Sequence, residues 1–158
     1  MISEKRVRDI MGPSLLVEVS PETSVKELVA AFMQAIREGK DPTVLIKERN
    51  NVVGMLNRND LLDILDPPYT KGDIKMEIFW EGLFTDQWRA VAERKVKDLM
   101  RSPVVVDPDD TLMKVSHIFN DRKVSTVLVV DQGQLVGTVS VDNLFNELVN
   151  DRFEAVTQ

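Results

Sequence analysis

Two heptapeptides of identical spacing hold the polar groups of this chain best placed to do chemistry. One is Gly54-Met-Leu-Asn57-Arg-Asn-Asp60; the other is Gly137-Thr-Val-Ser140-Val-Asp-Asn143. Each follows a β-rich run and precedes a helical pattern, so the polar pair falls on the first turn of a helix. Backbone N–H groups there lack intrahelical partners, and the positive end of the helix dipole faces outward. An oxygen at the cap, with an acid or amide three residues later, can close a capping box. The same groups can face a ligand, and the residue types alone leave both roles open.

Other reactive side chains are sparse. His117 is the single histidine, and cysteine is absent. That removes thiolate nucleophiles, disulfides and the His/Cys/Asp spacings of a metal site. No glycine loop is built to cradle phosphates, and no nucleophile has an evident base beside it. His117 falls off the apolar face of its helix and reads as a solvated side chain. Asp107-Pro-Asp-Asp110 is acidic, as helix starts usually are. The inventory points to a protein that is not an enzyme; a small nucleotide-acting hydrolase or transferase is the weakest reading carried forward.

The elements that must position the two heptapeptides come as a duplication. VRDIM at 7–11 returns as VKDLM at 96–100. Val19-Ser20-Pro21-Glu22 aligns with Val106-Asp107-Pro108-Asp109, and Phe32 with Phe119. TVLIKERNNVVG at 43–54 aligns with TVLVVDQGQLVG at 126–137. The first copy is longer between Phe32 and Thr43, where Gly39 and Pro42 make extra loop length cheap. Each copy opens with a short apolar run ended by proline, which predicts a strand and then a helix with Pro21 or Pro108 at its first turn, capped by Ser20 or Asp107. Val25, Leu28, Val29 and Phe32 share one helical face, as do Leu112, Val115, Ser116 and Phe119. Two β runs follow, joined at ERNN and QGQ. Short helices close the copies at 58–65 and 141–150. The expected unit is β-α-β-β-α, twice, in an α+β fold around one shared core.

The ordered set, occurring twice over about 5–65 and 94–150, resembles the cystathionine-β-synthase (CBS) domain, and the duplication resembles a CBS pair, or Bateman module. The residues that carry this are VRDIM and VKDLM, the turns at Pro21 and Pro108, VSTVLVVDQGQLVG at 124–137, and the strand-to-helix turns after Gly54 and Gly137. The resemblance implies two repeats packed as one pseudo-symmetric pair, with domains at 1–65, 66–95 (a helical, aromatic connector) and 96–158.

The resemblance also implies a ligand site in the clefts between the repeats. The family signature places Ser or Thr three residues after the glycine and Asp three further on; the carboxylate can accept from both ribose hydroxyls. This chain departs from it twice. Asp60 keeps the carboxylate, but Asn57 replaces the hydroxyl residue. Ser140 keeps the hydroxyl, but Asn143 replaces the carboxylate. Asparagine donates and accepts, so each half-site keeps a hydrogen-bonding pair. Arg58 lies in the first turn and could meet a phosphate, where the second copy has Asp142; the first copy therefore ranks ahead for a phosphorylated ligand. The base-contacting segments align with Asp41-Pro42-Thr43 and Val124-Ser125-Thr126, and Arg122 and Lys123 stand close by. The implied ligands are AMP, ADP, ATP or S-adenosylmethionine, with no cofactor required.

Composition bounds the setting. The chain has 158 residues and a net charge of −6, the wrong sign for a protein that grips nucleic-acid backbone. The clusters Lys5-Arg6-Arg8 and Arg94-Lys95-Lys97-Arg101 read as solvated helix ends. Residues 1–11 hold no signal-length apolar core, and runs such as VLVV at 127–130 are too short to span a bilayer. A soluble, cytoplasmic protein is expected. Residues 66–95 hold both tryptophans, the only tyrosine, Phe79 and Phe84. Met76, Phe79, Trp80 and Leu83 keep helical spacing, Gly82 breaks the run, and Thr85-Asp86 marks a new start. This aromatic surface suits core or dimer packing, or else docking of a separate effector protein. The resemblance implies a flat homodimer built from the closing helices, through Leu61, Leu62, Leu65, Leu144, Phe145 and Leu148. The leading reading is a regulatory module that senses an adenosine-type metabolite; the alternative is a ligand-free dimerisation or protein-interaction module.

Overall fold

The computed structural model describes residues 4–13, 16–40, 42–66 and 81–153. Its elements, in chain order, are α1 (Val7–Ile10), β1 (Val17–Val19), α2 (Val25–Arg37), β2 (Val44–Glu48), β3 (Asn51–Leu56), α3 (Arg58–Leu65), α4 (Leu83–Val91), a 3₁₀ turn (Val96–Asp98), β4 (Val105–Val106), α5 (Leu112–Arg122), β5 (Thr126–Asp131), β6 (Gln134–Ser140), α6 (Val141–Glu147) and a π-helical turn (Leu148–Phe153). The β-α-β-β-α order appears twice, so the fold is α+β with two three-stranded sheets.

The prolines do not start helices. Thr23 N–H donates to Ser20 O at 3.1 Å and Asp110 N–H to Asp107 O at 3.0 Å, which puts Pro21 and Pro108 second in hydrogen-bonded turns. The fixed φ of proline suits that position as well as it suits a helix start. The helices begin after the turn: the hydroxyls of Ser24 and Thr111 accept from Glu27 N–H and Lys114 N–H, both at 3.2 Å.

The chain forms two compact units, Leu16–Ser102, and Met1–Leu15 with Pro103–Gln158. In the first, β1 runs parallel to β2, and β2 pairs antiparallel with β3. In the second, β4, β5 and β6 repeat that topology. Both hairpin turns place two residues at positive φ, Arg49 (50°) with Asn50 (69°), and Gln132 (49°) with Gly133 (79°). That backbone matches the twist of the paired strands. Leu28, Val44, Ile46, Leu56 and Val96 form the core of the first unit, and the partly buried Leu61 packs against it. Val7, Val106, Val115, Val127, Val129 and Val139 are buried in the second unit.

Each opener is built into the unit that holds the sheet of the other copy. In the first unit, Val96 N–H donates to Thr23 O at 2.9 Å and Lys97 N–H to Pro21 O at 3.2 Å. In the second, Val7 N–H donates to Asp110 O at 3.0 Å and Arg8 N–H to Pro108 O at 2.9 Å. Charge follows the same plan: Lys97 Nζ meets Glu22 at 2.8 Å, and Arg8 Nε meets Asp109 at 2.9 Å. The hydrogen bond and charge of Lys97 hold the Glu22 carboxyl below its ordinary pKa. The openers then cross the third strands, Arg101 pairing with Met55 and Gly12 with Thr138. This crossing is why glycine stands at 54 and 137. A Cβ on Gly137 would sit 2.6 Å from Gly12 O, and one on Gly54 would run into the Met100 side chain.

Among the described residues no helix is long and apolar enough to cross a membrane. The connector is described from Glu81 onward. There α4 begins at Leu83, ahead of the Thr85 start read from sequence, because Gly82 turns the chain at φ 78°. Tyr69, Met76, Phe79 and Trp80 lie outside the described residues. Phe84 is exposed and Trp88 is half-buried.

Candidate functional site

The first unit places Asn57 at the N-cap of α3, in extended backbone. Its Oδ1 accepts from Asp60 N–H at 3.1 Å, and Asp60 Oδ2 accepts from Asn57 N–H at 3.0 Å. The capping box is therefore complete. It uses one oxygen of each side chain and leaves two polar atoms over. Asp60 Oδ1 lies 3.5 Å from Arg101 Nη1. Asn57 is 3% exposed, and its buried Nδ2 has no hydrogen-bond partner. An unsatisfied buried donor costs about 1–3 kcal/mol, so such groups need a reason to persist.

Strand register brings the remaining pieces close. Val44 lies opposite Leu56, so the chain at Pro42-Thr43 arrives beside Asn57. Thr43 is buried, and its carbonyl accepts from Val17 N–H at 3.2 Å. Asp41 lies outside the described residues. Arg58 is exposed on the first turn of α3. A cavity of about 500 Å³ opens beside Asp60, between α3, α4 and the opener. Its charged lining is Asp60, Asp63, Asp66 and Asp98 against Arg94 and Arg101. Arg58 is not part of that lining; the cation at the carboxylate is Arg101. The sequence reading counted Arg101 among the solvated cations of a helix end; its place beside Asp60 depends on the opener crossing β3. The signal was present in the duplication: Arg101 follows VKDLM as Gly12 follows VRDIM.

The second unit repeats the frame with other groups. Ser140 Oγ accepts from Asn143 N–H at 3.2 Å, and Asn143 Oδ1 accepts from Ser140 N–H at 2.9 Å. Thr126 lies directly opposite Ser140, and Ser125 O accepts from Val141 N–H at 2.9 Å. Val124 and Thr126 are buried and Ser125 is exposed. Arg122 and Lys123 are exposed at the end of α5, Lys123 in the left-handed region at φ 53°. Gly12 and Asn143 occupy the positions that Arg101 and Asp60 hold in the first unit. His117 is exposed, and among the described residues no group of three or more His, Cys, Asp or Glu could hold a metal ion.

The family model described as the CBS domain matches residues 7–67 and 96–150. The chain belongs to the CBS domain family. Solved CBS structures share its fold. A CBS domain-containing protein from Thermotoga maritima is 20% identical, with a TM-score of 0.69 over 96% of this chain and 99% of that one. CBSX2 in complex with AMP is 23% identical, with a TM-score of 0.63 over 94% of this chain and 99% of its own. The CBS domain of a bacterial CNNM/CorC family Mg2+ transporter in complex with ATP is 23% identical, with a TM-score of 0.61 over 92% of this chain and 87% of its own. No curated protein matches the sequence.

Proposed function

We propose that this CBS protein is a regulatory, non-catalytic module that binds an adenosine-type nucleotide at the N-terminus of α3. Occupancy is passed on through the conformation of a homodimer or of a separate effector protein, which requires the ligand to favour one conformation energetically. The observation that carries the reading is the buried, unpartnered Asn57 amide beside a carboxylate that faces a cavity. In this reading Asp60 receives the ribose hydroxyls, Asn57 Nδ2 donates to the ligand, and Pro42-Thr43 flanks the base. Arg58 completes the first half-site; Asp41, assigned to it from the sequence, lies outside the described residues. AMP, ADP, ATP and S-adenosylmethionine are the ligands to try first; relatives of the same fold are described in complex with AMP and with ATP. Ser140, Asn143, Val124-Ser125-Thr126, Arg122 and Lys123 make the second half-site; its first helical turn carries Asp142 where the first has Arg58, which suits a ligand of lower negative charge.

The test is thermal unfolding against that ligand panel. A ligand near 100 times its dissociation constant adds about 2.7 kcal/mol, which raises the midpoint by roughly 5–10 °C at this size. A selective shift in the parent protein that disappears in Asp60→Ala supports the sensor. A flat panel, from folded protein free of small molecules by mass spectrometry, overturns it. That result would favour a ligand-free interaction module, a reading helped by both turns closing as complete capping boxes.

A further inference from the structure

Each unit is completed by the opener of the other copy, so an exchange of openers between two equivalent sheets is how the fold is already built. We propose that the first opener, residues 4–13, also exchanges between chains. Two copies of this protein then form a dimer in which each second unit is completed by the opener of the partner subunit.

Three observations carry it. The first is that the two sockets are the same. Val7 and Arg8 donate to Asp110 O and Pro108 O as Val96 and Lys97 donate to Thr23 O and Pro21 O. Arg6 pairs with Thr111 as Lys95 pairs with Ser24, and Gly12 pairs with Thr138 as Arg101 pairs with Met55. Such a socket reads backbone groups and one fully buried valine, Val7 or Val96. Both readings are met equally by an opener from the same chain and by one from a second copy.

The second observation is how lightly the first opener is tied. No continuous chain joins Met1–Leu15 to the rest of its unit, Pro103–Gln158; the whole of the other unit intervenes. Val7 is the one buried residue of α1. The Arg8 and Asp109 side chains that meet at the socket are 50% and 73% exposed, and exposed pairs hold little. A segment of this kind opens more readily than the sheet behind it.

The third is what release leaves behind. β6 is an edge strand of its sheet, and Gly12 takes up both the N–H and the carbonyl of Thr138 on that edge. A bare edge is a template for another chain. The second opener is already spent on the other unit, which leaves the first opener of another copy as the segment that matches. Gly12 pairs with Thr138 two residues before Ser140, so in the exchanged dimer the wall of the second half-site comes from both chains.

The experiment is cross-linking, and the absence of cysteine makes introduced thiols specific. One variant carries Arg8→Cys, another Asp109→Cys, and a third carries both. The two single variants are mixed, incubated and treated with a short bis-maleimide; products are read by denaturing gel and peptide mass. The double variant should cross-link opener to socket. In the mixture, exchange should join the two single variants to each other. Seated thiols meet at an effective concentration of about millimolar, against micromolar protein in solution, so the mixed product should exceed either same-variant product on the order of 100-fold. It should vanish when Val7→Asp, which unseats the opener, is added to the Arg8→Cys chain. Cross-linking of the double variant within single chains, without a mixed product, overturns the exchange. So does a mixed product that survives Val7→Asp, which two surfaces lying side by side would give. A double variant that fails to cross-link removes the socket itself and overturns the proposal with it.

Discussion

A methyl group at Gly137 and one at Gly54 should have different consequences, although the two glycines are equivalent by sequence. An alanine Cβ at 137 would lie 2.6 Å from the carbonyl oxygen of Gly12, which is backbone. That oxygen accepts from Thr138 N–H at 3.1 Å, and Gly12 N–H donates to Thr138 O at 2.9 Å. The methyl can be admitted only if the opener backs away from β6 and stretches both bonds. Two weakened backbone bonds at about 0.5–1.5 kcal/mol each, added to an overpacking term of about 1–3 kcal/mol, outweigh the roughly 0.5–1 kcal/mol that alanine regains over glycine in a strand. The expected loss for Gly137→Ala is about 2–4 kcal/mol. At 54 the obstacle is the Met100 side chain, with Cγ at 2.7 Å. A new methionine rotamer relieves the contacts at Sδ and Cγ, but Cβ at 2.9 Å moves only with the backbone, so Gly54→Ala should lose about 1–3 kcal/mol, less than Gly137→Ala because no hydrogen-bonding carbonyl is struck directly. Urea unfolding with a common m-value reads both differences. If Gly54→Ala is the more damaging, or Gly137→Ala lies within about 0.5 kcal/mol of the parent, the crossing is not what requires glycine.

Two further outcomes are expected. The Asp110 carboxyl is pushed up by burial, but the hydrogen bonds from Asp107 N–H and Lys114 and the lysine charge together hold it below its ordinary pKa. Its ionised form therefore stabilises the folded state above the unfolded pKa, and that contribution is lost as pH falls through the folded value. The stability difference between the parent and Asp110→Asn should be present at neutral pH and fade below about pH 4; urea midpoints from pH 7 to pH 2.5 would show a constant gap if the carboxylate were irrelevant. Lys123 ends α5 at φ 53°, where a side chain is strained and glycine is not. Lys123→Gly should raise stability by about 0.5–1 kcal/mol, measured the same way, and a loss would contradict the strain.

The duplication made the fold readable. The β-rich apolar runs at TVLIK and TVLVVD, the turn residues at Asn50 and Gly133, and the helical face of Val25, Leu28, Val29 and Phe32 are local signals, and local physics acted on them as written. The turns at Pro21 and Pro108 were misplaced by one step because proline fits the second position of a tight turn and the first turn of a helix equally well. The candidate site was half readable. Asn57 with Asp60, and Ser140 with Asn143, announce capping boxes at their spacing. Arg101 does not announce itself, because its place is fixed by a backbone pairing with Met55 from a distant part of the chain. The glycines at 54 and 137 look like part of a ligand signature until the crossing of the openers supplies a steric reason for them.

The crossing has a consequence for the order of synthesis. The unit Leu16–Ser102 is continuous and can close soon after its last residue leaves the ribosome. The other unit needs the first segment to be made and the last sheet to be made before Gly12 can meet Thr138. At translation rates of about 5–20 residues per second, VRDIM waits roughly ten seconds for its partner strand. During that wait Val7, which ends fully buried, stands in water on a nascent chain. The run of charge around it, Lys5, Arg6, Arg8 and Asp9, keeps that waiting segment soluble until β6 arrives.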